Sequence, residues 1–99
     1  MDAVLPEEDL IEAGVQDLRD GRETIPALLV AIGSRRLRRL GLDLPHILPE
    51  NPSHDLYDLL AEDDSDSAHS RYNAFIRRLV SYEQAAERAK SSSSANTGS

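Results

Sequence analysis

Apolar residues recur along this chain at the three- and four-residue spacing of helix faces, and nowhere do they alternate over the length of a strand. Leu10, Ile11, Gly14, Val15 and Leu18 share one face behind Pro6-Glu7-Glu8-Asp9, a proline and three acids that suit a helix start. This predicts a first helix over about 7–20, closed by Gly21 as a left-handed cap. Thr24 is placed to cap a second helix, about 25–40, that opens on Ile25-Pro26. Ile25, Leu28, Leu29 and Ile32 form its stripe, and Val30 and Ala31 widen it, so the first half should be buried nearly all round. Gly33-Ser34 marks a break or kink before Arg35-Arg36-Leu37-Arg38-Arg39-Leu40, which Gly41 ends. From Leu42 to Ser53 three prolines exclude a regular helix, while Leu42, Leu44, Ile47 and Leu48 are apolar enough to lie across the open ends of the domain. Ser53 is expected to cap a third helix, about 54–62, turning Leu56, Tyr57, Leu59 and Leu60 inward. The acidic stretch 62–66 connects it to a fourth, about 67–90, with Ala68, Tyr72, Phe75, Ile76, Leu79, Tyr82 and Ala86 along a near-heptad seam. At 1.5 Å per residue that helix would run about 36 Å, longer than the first two, so either residues 82–89 pack on a partner or a second copy, or the final turns fray into the tail over 91–99.

The fold class that follows is all-α: a small four-helix bundle-like domain over 1–90, with a proline-rich loop between helices two and three and a flexible Ser-rich tail over 91–99. Composition narrows the setting. With 39% apolar residues among 99 the chain can bury a core. It has no cysteine, which excludes a disulfide framework, a zinc ribbon and a cysteine nucleophile. The longest apolar run, 27–32, cannot span a bilayer, and the start lacks a basic export signal, so a cytoplasmic protein without membrane attachment is expected.

The net charge of −7 is distributed in blocks of alternating sign. Residues 1–23 carry −6, residues 24–42 carry +4, residues 43–66 carry −8 and residues 67–99 carry +3. Ten of the eleven bases are Arg, the side chain best suited to two-point contacts with carboxylate or phosphate. Arg35, Arg36, Arg38 and Arg39 crowd one short stretch. The acids of 1–23 and 43–66 are expected to neutralise them within the domain or across a dimer; docking of an acidic protein or of nucleic acid are the other uses. A helix, break and helix about Gly33-Ser34 has the outline of a helix-turn-helix, but the second helix is six residues long and the domain is acidic.

Catalytic arrangements find no anchor. His46, His54 and His69 lie in three separate segments and set up no metal site. Asp64-Ser65-Asp66-Ser67 has the alternate acids of a calcium loop without its glycine at the sixth position or its glutamate at the twelfth. Arg39 and His46, with six residues between them, resemble the loose Arg-x4–6-His signature of HEPN ribonucleases in that spacing alone; Gly41 and Pro45 put the two on different elements, whereas that family carries them on one helix. A nucleophile-elbow serine and a phosphate loop are also missing. No catalytic, cofactor-binding or metal-ligating residue is therefore expected, and the chain is not expected to be an enzyme.

The expected function is that of a non-catalytic accessory or regulatory protein that binds another protein, or itself as a homodimer, in the manner of an antitoxin or a small subunit of a complex. The residues expected to make the contact are Arg35, Arg36, Arg38 and Arg39 with Arg71, Tyr72, Arg77, Arg78 and Tyr82. The alternative is a nucleic-acid-associated regulator that uses the cluster from Arg35 to Arg39.

Overall fold

The structure, a computed structural model, describes residues 5–90 in full and the backbone to 98; the tail expected over 91–99 lies outside the fully described residues. Helices make up the regular structure of the described residues: α1 (Glu8–Arg19), α2 (Ile25–Ile32), α3 (Ser34–Arg39), α4 (Pro52–Asp63) and α5 (Ala68–Gly98). There are five rather than four because Gly33 divides the expected second helix. No described helix is long and apolar enough to cross a membrane.

α2 touches each of the other four helices. Its Ala27, Leu28, Leu29, Val30 and Ala31 are all buried, as an eight-residue helix with no polar face requires. Thr24 starts it as expected: its Oγ1 accepts from the Ala27 amide at 3.3 Å and donates to Asp17 Oδ2 at 2.6 Å, tying the cap to α1. Around α2 lie Ile11 and Leu18 from α1, Leu37 from α3, Leu56 and Leu60 from α4, and Ala68, Leu79 and Tyr82 from α5.

Two local signals are realised in full. Gly21 (φ 77°) and Gly41 (φ 102°) take the left-handed conformation that ends α1 and α3. After α1, the Gly21 and Arg22 amides donate to the Leu18 and Asp17 carbonyls at 3.1 and 2.8 Å, the paired closure of a Schellman motif. Leu42 and Gly41 repeat it on Leu37 and Arg38 after α3, at 3.1 and 3.0 Å.

Other expectations need correction. Ser53 does not cap α4: the helix begins at Pro52, whose fixed φ and missing N–H suit a first position, and Asn51 precedes it without a side-chain cap. Tyr57 does not turn inward; it is 38% exposed and its ring lies 5.8 Å from that of Tyr72 at 54°. In the segment between α3 and α4, Leu44 is buried and Leu42 and Leu48 pack against the core, but Ile47 is 90% exposed. Pro45 and Pro49 restrict the backbone on either side of it, and only its leucine neighbours reach the core. Asp64 shapes the turn before α5, its Oδ1 accepting the Asp66 amide at 3.1 Å, so the calcium-like stretch is a turn.

α1 and α2 approach closely at Gly14. A Cβ there would lie 2.5 Å from Val30 Cγ2 and would also strike the Pro26 carbonyl. In an open helix Gly→Ala gains about 1 kcal/mol, but overpacking a filled contact costs about 1–3 kcal/mol. Gly14→Ala is expected to lower the melting temperature; thermal unfolding followed by circular dichroism checks the sign, and a rise would show that the helices separate freely.

Candidate functional site

The arginine cluster is divided by the phase of α3. Arg36 faces α5, where Nε and Nη2 donate to Glu87 Oε2 and Oε1 at 2.8 and 2.7 Å, a two-point pair, and Nη1 reaches Glu83 Oε1 at 3.4 Å. Arg38 turns the other way and donates to the Pro45 carbonyl at 2.6 Å. The C-terminal end of α3 is held in turn by Lys90, whose Nζ donates to the Arg39 carbonyl at 2.7 Å. Arg35 and Arg39, four residues apart on one face, are exposed, and their guanidinium groups make no ion pair among the described residues.

Glu83 is the charge that the fold must accommodate. It is 4% exposed, and its Oε2 would lie 2.7 Å from a Cβ on Gly33, so the absence of a side chain there lets α5 close on the α2–α3 junction. Burial pushes its carboxyl above the usual range, Arg36 opposes that, and Glu87 adds to it. Glu87 goes the other way, held below the usual range by the hydrogen bonds from Arg36.

Among the described residues no acid of the two blocks expected to neutralise the cluster pairs with it, and several are used elsewhere. Glu7 pairs with Arg78 at 2.8 Å, joining the start of α1 to α5, and the same guanidinium lies 5.4 Å above the centre of the Phe75 ring. Glu7 has a left-handed backbone conformation (φ 64°) at the start of α1. Asp63 pairs with Arg71 at 2.6 Å across the α4–α5 turn, and Asp43 accepts from Arg19 through its carbonyl at 3.0 Å. Arg36 instead takes its partners from the block over 67–99, whose net positive charge conceals Glu83 and Glu87. Their spacing of one helical turn, on the edge of the α5 seam, was the signal available for them.

The remaining expected contact residues are scattered. Tyr82 is 6% exposed and packs inside the chain, so it needs no external cover. It lines a cavity of about 350 Å³ between α1, α5 and the start of the loop, with Ile11, Val15, Arg19 and Leu42. Burial, then Glu8 and Glu12, push its hydroxyl up. Tyr72 is half-buried against Tyr57, and Arg77 is exposed on α5. His54 pairs with Asp58 one turn on at 3.2 Å, and His69 with Asn73 at 3.2 Å. Arg39 and His46 lie on α3 and in the following loop, apart from each other in the fold's elements.

What the cluster does border is a groove of about 310 Å³ between the α2–α3 junction and α5. Ile32, Ile76, Leu79 and Val80 supply its apolar surface, Arg35 and Arg39 its basic rim, and the Arg36–Glu83 pair one wall. No family model, no curated protein and no solved structure matches this chain.

Removing Arg36 would strand a buried carboxylate. Arg36→Ala is expected to lower stability, and Glu83→Leu added to it should recover part of the loss; chemical denaturation of the single and double variants checks this. The pH dependence has a definite sign. A raised pKa in the folded chain favours folding below the ordinary range and loses that contribution as pH rises through the raised value. Glu87 has the reverse sense, its contribution present above the ordinary range and lost as pH falls through the lowered value. The melting temperature of Glu83→Gln should therefore gain on that of the natural chain as pH rises from about 4 to 8. A constant difference would mean that Glu83 carries no burial cost.

Proposed function

We propose that the chain is a non-catalytic, cytoplasmic accessory protein whose groove between α3 and α5 receives an acidic, amphipathic segment of a partner protein. The observation that carries this reading is the division of the arginine cluster. Arg36 and Arg38 are spent on holding α3 in place, while Arg35 and Arg39, without an ion pair among the described residues, stand one turn apart on the rim of an apolar surface. An aliphatic side chain of the partner would leave water against Ile32, Ile76 and Val80, with carboxylates on its flanks meeting the two guanidiniums. Such rim charges govern partner choice and encounter rate more than affinity.

The same division weighs against the nucleic-acid reading. Phosphate binding draws on many cations at once, and here two of the four are engaged within a domain whose net charge is −7. The test uses the full chain and its Arg35→Glu/Arg39→Glu variant to capture material from host lysate, each with and without nuclease. A protein retained after nuclease treatment and lost with the double variant, at unchanged helical content, is the expected result. Capture indifferent to the variant would remove the groove from the function, and capture abolished by nuclease would replace the reading with the alternative.

A further inference from the structure

A second surface, sharing no residue with the arginine groove, combines three features. Ile47 stands 90% exposed on the loop before α4. It forms one wall of a depression of about 240 Å³ whose other apolar lining is Leu18, Leu48 and Pro49. On the rim, just past the end of α1, are Arg22 and Glu23, both exposed and with no side-chain partner among the described residues.

We propose that this face pairs with a second copy of the chain about a twofold axis, each Ile47 seating in the other copy's depression and each Arg22 meeting the other's Glu23. A twofold contact uses one patch twice, so the patch must carry both a projection and its receptor, and both members of each charge pair. This face meets both conditions. A projecting isoleucine adjoins a hollow of aliphatic character, and two adjacent side chains of opposite sign become two reciprocal pairs when the patch is turned upon itself. A foreign partner would require either the projection or the hollow, and nothing would then call for a neighbouring Arg and Glu that cancel. The backbone supports a fixed presentation on both sides: Gly21 and Arg22 are locked by their hydrogen bonds to Leu18 and Asp17, and Pro45 is held by Arg38. The contact does not involve Arg35 or Arg39, so it stands or falls apart from the groove.

Sedimentation equilibrium of the full chain over roughly 10 μM to 1 mM is the test, that being the span in which a small contact of this kind associates. A reversible dimer is expected. Ile47→Asp should raise its dissociation constant at least about a hundredfold, because each dimer loses two buried isoleucines. Arg22→Glu should also weaken it, by setting like charges opposite each other, and Arg22→Glu/Glu23→Arg should restore it, because the reciprocal pairs re-form with their signs exchanged. All three positions are exposed, so circular dichroism should show each variant folded. A chain that stays monomeric throughout, a dimer unmoved by Ile47→Asp, or a double exchange no tighter than the single one would each overturn the proposal.

Discussion

The rest of the structure depends on a helix with no side to spare for water. α2 is apolar around its whole circumference, and eight residues of that kind are stable only if neighbours enclose them on every side. The enclosure is made by three different means. α1 comes in close because Gly14 offers no side chain at the crossing, and the Thr24–Asp17 hydrogen bond fixes where the two helices meet. α4 contributes Leu56 and Leu60, and α5 contributes Leu79 and Tyr82. Each interior position is filled by a side chain from another element, so a change in one crossing is felt in the next.

Enclosing α2 brings a cost at its C-terminal end, where Glu83 of α5 is drawn out of water. The carboxylate is accommodated by Arg36, which spans to Glu87 and thereby links a buried charge to an exposed one. Such an arrangement contributes little net stability over an apolar substitute, but it is costly to break from one side, and it specifies how α3 sits on α5. Lys90 at the end of α3 acts in the same direction. The short α3 is thus positioned from outside itself: Arg and Leu are good helix formers, but six residues could not persist as an isolated helix.

The proposed docking surface is what remains after this positioning. Arg36 and Arg38 differ from Arg35 and Arg39 by their angle around the axis of α3, and that angle separates structural from available cations. The groove acquires its apolar part from α2 and α5 and its charge from α3, so no single segment of chain contains it. Docking there would act on the same α3–α5 contact that Glu83 and Arg36 maintain.

Periodicity, caps and breakers along the chain were enough to determine the helical class, the inward faces of α1, α2 and α5, and the glycine closures at 21 and 41, because each rests on residues within a few positions of one another. The break at Gly33 was visible as well, though not that Leu79 and Glu83 of a distant helix close on it. The candidate groove was legible only in its arginines. Which acids pair with which bases could not be read from block charges, because an ion pair is decided by distance in space, and the nearest carboxylates to Arg36 belong to a segment of net positive sign. Ile47 shows the same limit among apolar residues: composition marks it for the core, and only the packing of its neighbours leaves it in water. Local sequence chose the elements; the three-dimensional arrangement chose their partners, because burial and Coulomb energies depend on neighbours that the chain brings together from far apart.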